Sequence, residues 1–186
     1  MKYLGFILLL LTCSSTTTPK IHEKSSSSAL LQIESTSTFQ KENSSPIGDF
    51  DFWIGVWKTE SSVPPNWEVS IDIDSVKYLL NGKLIEEVFT KTQSSNFQRG
   101  YLFYLKREGR WRHTIYDTKW GEYTFYGNKE GDDIVLYSDP KSTRPGLRRE
   151  IFYNISENEF DYKWEASQDE GKTWHVIWKI HYIRKI

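Results

Sequence analysis

His113 is a residue whose type and setting could do chemistry. In RWRHTIYD, residues 110–117, Trp111, His113 and Ile115 fall on one parity and Arg110, Arg112 and Thr114 on the other. A strand with that alternation presents the imidazole on its apolar, inward face. There it is either a hydrogen-bonded core group or a general base, because histidine titrates near neutral pH. Asp117 shares the face, but four residues along a strand span about 13 Å, which rules out a direct dyad.

The same count puts Arg149 with Leu147, Ile151 and Tyr153, and Tyr162 with Phe160 and Trp164. A guanidinium on an apolar face needs a partner, since an isolated charge in a low-dielectric interior is very costly. Glu86 or Glu87 could supply it, although their strand is too balanced to assign either to a face; an anionic ligand is the other choice. Arg149 and His113 together would suit a molecule with an apolar body and one acidic or carbonyl end. The candidate ligand-binding set is therefore Trp67, Trp111, His113, Tyr123, Arg149, Tyr162 and Trp164. The small basic cluster Arg144, Arg148 and Arg149 reads as a solvated loop and strand end.

Other chemistries find no purchase. The sequence has no H-x-H, H-E-x-x-H or C-x-x-C spacing, and His22 lies among Ser and Thr residues far from any strand, so neither a metal nor another cofactor is expected. His175 and His181 alternate with Trp174, Val176, Trp178, Ile180 and Tyr182, which points both imidazoles outward and argues against haem inside a barrel. No G-x-S-x-G elbow occurs and the single cysteine, Cys13, is near the N-terminus, so no catalytic residue is assigned. Net charge is −1, with Lys and Arg scattered among acids, and a nucleic-acid partner is not expected.

The elements that must position these residues begin after a long polar segment. Residues 1–12 have the layout of a signal peptide, with Lys2 followed by an apolar run too short to span a bilayer. Leu10, Leu11 and Thr12 before Cys13 resemble a bacterial lipoprotein signal, which implies acylation of Cys13 and a place in the bacterial cell envelope, lipid-anchored. Residues 13–46 are rich in Ser and Thr and cannot bury enough apolar area to offset chain entropy, so a disordered tether is expected. Residues 47–186 hold all eight Trp and make one domain.

That domain reads as strands. NWEVSIDID, residues 66–74, alternates with period two and gives Trp67, Val69, Ile71 and Ile73 as its buried face. Asn81-Gly82 between apolar runs is a hairpin signal. Further strands follow over 101–106, 110–117, 122–127, 134–138, 147–154, 160–166 and 173–184, and no window shows helical periodicity. The expected fold is all-β: a single antiparallel up-and-down barrel of about ten strands, whose closure removes sheet edges. SQDEGKTW, residues 167–174, fits the Asp-box pattern of sialidase propellers. A lone copy between two strands reads as a hairpin clamp, with Asp169 accepting backbone N–H groups and Gly171 taking the strained φ.

FDFWIGVW, YLKREGRWRHTIYD and SQDEGKTW closing into HYIR together resemble a bacterial family of uncharacterised lipocalin-like proteins over residues 49–184. The resemblance implies a calycin-type barrel with a small-molecule cavity. Gly55-x-Trp57 also looks like the lipocalin G-x-W, which implies that Arg184 packs over Trp57 as closure rather than catalysis. The expectation is a membrane-tethered, lipocalin-like protein that binds or carries a small hydrophobic or amphiphilic ligand. The alternatives are a barrel isomerase or hydrolase using His113 as base, and a surface protein with a filled, non-binding barrel.

Overall fold

The computed structural model describes residues 46–139 and 145–186. The leader, Cys13, all but the last residue of the tether, and Arg144 lie outside the described residues. A 3₁₀ helix, Pro46–Trp53, leads into ten strands: β1 (Gly55–Ser62), β2 (Ser70–Leu79), β3 (Leu84–Thr90), β4 (Phe97–Leu105), β5 (Arg110–Asp117), β6 (Gly121–Glu130), β7 (Asp133–Ser138), β8 (Leu147–Tyr153), β9 (Glu159–Ser167) and β10 (His175–Arg184). Each strand pairs antiparallel with its neighbours in sequence, and β10 returns to pair with β1 from Trp57↔Arg184 to Ser62↔Lys179. The result is the closed up-and-down barrel that the alternation predicts.

β2 corrects the sequence reading of which face is inside. Asp72 and Asp74 are fully buried, whereas Ile71 and Val69 are exposed on the outer wall. Alternation reports two faces without saying which looks inward, and here the inward Asp72 has partners. Asp72 Oδ1 accepts from Thr92 N at 2.8 Å and Asp72 Oδ2 from Ser70 Oγ at 3.0 Å, tying the start of β2 to the chain after β3. Trp67 precedes β2 on the outer wall with φ at +56°, its ring covered by Lys179 Nζ at 4.5 Å, and does not enter the barrel. The hairpin after β2 is also longer than the Asn81-Gly82 signal implies: Leu79 pairs with Leu84, leaving a four-residue turn over 80–83 in which Leu80, Asn81 and Gly82 all have positive φ.

One end of the barrel, the base, is filled from the chain just before β1. The 3₁₀ helix delivers Phe50, Phe52 and Trp53 there, so that FDFWIGVW is a plug followed by a strand. Phe50 packs edge-on against Trp111 at 5.0 Å and Phe152 at 5.3 Å, and Phe52 against Phe160 at 5.1 Å between ring centroids. Trp57 Nε1 donates to Trp53 O at 2.8 Å, which fixes the plug to the first strand. Aromatic pairs of this kind contribute about 0.5–1.5 kcal/mol each beyond the area they bury.

Arg184 fastens the two ends of the domain. Its guanidinium lies 4.1 Å above the Trp57 ring, and it donates to Ile54 O at 2.9 Å, Phe52 O at 2.7 Å and Glu157 O at 2.7 Å. Gly55, at φ +144°, leaves the space that the guanidinium occupies; a Cβ there would stand 2.5 Å from Arg184 Nη1. At the other end, Asp169 Oδ1 accepts from Thr173 N at 2.9 Å and Ser167 Oγ at 2.8 Å, and Oδ2 from Thr173 Oγ1 at 2.6 Å. These hydrogen bonds, those from Thr173 foremost, hold its carboxyl at about 2. Gly171 closes the clamp with φ +87° and its N–H on Ser167 Oγ at 2.8 Å.

Arg184→Ala removes three charge-assisted hydrogen bonds and the stacking together, and we expect it to lower unfolding free energy by about 2–4 kcal/mol in urea titrations. A loss below about 0.5 kcal/mol would contradict the closing role of this residue.

Candidate functional site

The interior above the plug is polar. His113 on β5 is 1% exposed and Glu150 on β8 is fully buried; their closest atoms, Nδ1 and Oε1, are 2.9 Å apart. Glu87 on β3 approaches the other ring nitrogen, with its Oε2 3.5 Å from Nε2, an ion-pair distance at which neither atom has a hydrogen bond. Tyr162 on β9 donates to Glu150 Oε2 at 2.7 Å, and Trp164 donates its indole N–H to the Tyr162 hydroxyl. The chain Trp164, Tyr162, Glu150, His113, Glu87 thus crosses the lumen, and from Glu150 through His113 to Glu87 it joins β8, β5 and β3, which are not neighbours in the sheet.

Burial alone would drive the imidazole neutral. The charge and hydrogen bond of Glu150, with a further contribution from Glu87, outweigh it and hold His113 at about 10. At neutral pH the ring is an imidazolium. For Asp74, on β2, burial first and then the charge of Glu87 push the carboxyl well above the ordinary range. The Tyr182 hydroxyl and the Trp53 indole moderate that shift by proximity, although both Asp74 oxygens and Trp53 Nε1 lack a partner in hydrogen-bond geometry. Among the described residues, no group of three or more His, Cys, Asp or Glu is arranged to hold a metal ion.

The opposite end, the mouth, is not filled. A cavity of about 330 Å³ opens there, walled by Trp164, Trp178, Tyr123 and Ile177, with Val63 and Trp120 at its rim. Its polar lining is Gln98, Lys91, Arg148 and Asp117. Trp164 belongs to both layers: its ring faces the cavity and packs on Tyr123 at 4.9 Å and Trp178 at 5.6 Å, while its N–H reaches down to Tyr162. The volume sits at the low end of small-molecule pockets, roughly 300–1,000 Å³, and an apolar wall with a few polar groups is their usual make-up.

The structure divides the candidate residues into four places. Tyr123 and Trp164 line the cavity. His113 and Tyr162 lie beneath it, enclosed. Trp111 faces inward but at the base, where its indole donates to Asp49 at 3.3 Å. Arg149 and Trp67 are on the outer wall, which overturns the inward placement of both. Arg149 pairs with Glu165 at 2.6 Å and stacks on Trp174 at 4.3 Å. The reason is again parity: in LRREIFY the count of apolar residues favours Leu147, Ile151 and Tyr153, yet the inward set is Arg148, Glu150 and Phe152. His175 and His181 are on the outer side, His181 Nδ1 lying 2.9 Å from Asp161.

Sequence reasoning misses Glu150, Asp74 and the cavity groups Arg148, Lys91 and Gln98, and leaves Glu87 without a face. Period-two patterning offers a signal for Glu150 only if Phe152 is weighted above its neighbours. Nothing local separates Glu87 from Glu86, which turns outward to Lys77 at 3.1 Å and Arg99 at 3.1 Å.

His113 binds its proton more tightly folded than unfolded. Its stabilising contribution is therefore complete below about pH 6.5, the unfolded value, and is lost as pH rises toward about 10. Asp74, also raised, acts in the same direction. We expect the thermal midpoint of the protein to fall between about pH 6.5 and 10, and His113→Gln to flatten that slope. Glu150→Gln leaves a buried cation without its main partner and is expected to cost about 3–5 kcal/mol in urea unfolding. A wild-type midpoint that is flat over this range would refute the charged state of His113.

No family model matches the sequence, and no curated protein does. Among solved structures, the chain is similar to a protein of unknown function of the DUF3598 family from Nostoc punctiforme, at 8% identity and a TM-score of 0.25, over 76% of this chain and 99% of that one.

Proposed function

We propose that the protein binds or carries one small, largely apolar molecule in the mouth cavity. The observation that carries this reading is the contrast between the two ends of the barrel. Aromatic side chains from the 3₁₀ helix fill the base, whereas Trp164, Trp178, Tyr123 and Ile177 surround about 330 Å³ of open space at the mouth. A barrel serving only as a scaffold gains nothing from an unfilled aromatic chamber, because each missing contact forfeits dispersion energy. The resemblance of the three sequence blocks to lipocalin-like proteins supports the same reading. The isomerase or hydrolase alternative lacks its base: His113 is enclosed, and as an imidazolium it has no lone pair with which to take a proton.

The test uses the neutral fluorophore N-phenyl-1-naphthylamine. Titrated into the purified protein, it is expected to give saturable fluorescence enhancement at one site per chain. Ile177→Trp, which fills the chamber, should weaken binding at least tenfold, about 1.4 kcal/mol, while the far-ultraviolet circular dichroism of the barrel is unchanged. Absence of saturable binding, or binding indifferent to the substitution, overturns the proposal.

The same proposal places the barrel on a membrane of the bacterial cell envelope through an acylated Cys13, which the lipoprotein-like leader supports. Mass spectrometry of membrane-extracted protein should show a mature chain that begins at Cys13 and carries acyl mass. Cys13→Ser should move the protein to the soluble fraction. A mature chain that starts elsewhere refutes the anchor and leaves the cavity reading intact.

A further inference from the structure

The polar groups of the mouth cavity are unequal in sign. Arg148 and Lys91 bring two positive charges to its lining and Asp117 one negative charge. The Asp117 carboxylate is engaged by the turn that follows β5: its Oδ1 accepts the backbone N–H groups of Lys119 at 2.8 Å and Trp120 at 2.7 Å. Neither cation has a carboxylate partner among the described residues. Among the described residues the guanidinium of Arg148 makes one long hydrogen bond, to Pro145 O at 3.4 Å, and Lys91 Nζ stands 5.7 Å from the centre of the Trp178 ring.

Several cations on the outer wall are paired with acids. Arg149 and Lys163 both bind Glu165, Arg99 and Lys77 both bind Glu86, and Lys58 binds Glu60. Those pairs face outward. Among the described cations that have no ion pair, Arg148 and Lys91 are the two that line the aromatic chamber.

Gln98, 6% exposed, adds a neutral polar group, its side-chain amide, to the same lining. Its amide N–H and the two cations are donors that can converge on one anionic head group, while Trp164, Trp178, Tyr123 and Ile177 take an apolar body.

From this arrangement we infer that the molecule held in the mouth cavity is an anionic amphiphile: an apolar body ending in a carboxylate or similar oxyanion, with the head group bound by Arg148 and Lys91 and oriented by Gln98. The inference rests on the cavity reading above and names the chemical class of its ligand. Guanidinium suits the task because its planar fork of N–H donors matches the two oxygens of a carboxylate. The chamber's size favours a body of medium length over a long-chain lipid buried whole. Beneath it, the N–H of Trp164 is already committed to Tyr162, so the head group is read at the rim and not at the charged knot below.

Three probes of equal length separate the possibilities: octanoate, octan-1-ol and octylammonium, titrated into the purified full chain by calorimetry at pH 7. Octanoate is expected to bind at least tenfold tighter than octan-1-ol, with octylammonium weakest. In the double variant Arg148→Gln with Lys91→Gln, that advantage should fall below threefold while octan-1-ol binds as before. Both side chains lack acid partners, so the variant keeps its ion pairs, and its thermal melt should match the wild type. Equal binding of octanoate and octan-1-ol overturns the anionic assignment and leaves the cavity reading standing. Tightest binding of octylammonium also overturns it and makes Asp117 the head-group partner. If none of the three binds, while the neutral fluorophore does not bind either, both readings fall together.

Discussion

The ion pair between His113 and Glu150 is the constraint on which the rest of the interior is arranged. It is fully enclosed, and a charge placed there is tolerable only with a close partner of opposite sign. Glu150 supplies that partner at 2.9 Å and Glu87 stands at 3.5 Å on the far side of the ring. Because these three residues come from β8, β5 and β3, the knot ties together walls that share no hydrogen bonds with one another. Gly100 on β4, opposite Glu87 in register, is part of the same arrangement: a Cβ there would collide with Glu87 Oε2 and His113 Nε2, so the close approach of the pair requires a residue without a side chain.

The knot also divides the barrel. Below it, the lumen is packed by rings from the 3₁₀ helix and from β1, β5, β8 and β9. Above it, Trp164 and Trp178 form a floor and one wall, and the space beyond them is open. Polar residues in a lumen usually cost stability relative to a packed apolar core, and Asp74, buried with both carboxyl oxygens unpaired among the described residues, is an example of that cost. What the charged layer provides is a fixed separation: neither the plug nor a ligand at the mouth can move through it, and the ring of Trp164 is pinned from beneath by Tyr162.

The outer wall follows a different logic. Its ion pairs are partly exposed, and pairs of that kind contribute little to stability individually, about 0–1 kcal/mol. They matter here for what they leave over. Acids on β3, β9 and β1 take neighbouring Lys and Arg side chains, whereas Arg148 and Lys91, without an ion pair among the described residues, stand at the mouth beside Gln98. The same side-chain types thus serve as wall or as site according to a single step in strand register, as Arg148 and Arg149 show.

Much of the fold was legible from sequence alone. Period-two alternation, the turn residues and the single-domain length predicted an antiparallel barrel of about ten strands, and β5 runs over the very residues whose pattern proposed it. That legibility is local: alternation within one strand, and glycine or Asx chemistry within one turn, need no knowledge of the rest of the chain. The direction of each face was not local. On β2 and β8 the more apolar parity looks outward, because Asp74 and Glu150 face charged or polar groups from distant strands and cannot be recognised as inward until those strands are in place. Glu86 and Glu87 are adjacent and identical, yet one reaches Lys77 and Arg99 and the other His113. Sequence determined that a barrel forms and that His113 looks into it; only closure of β1 onto β10 decided which charges meet across the lumen, and which are left to meet something else.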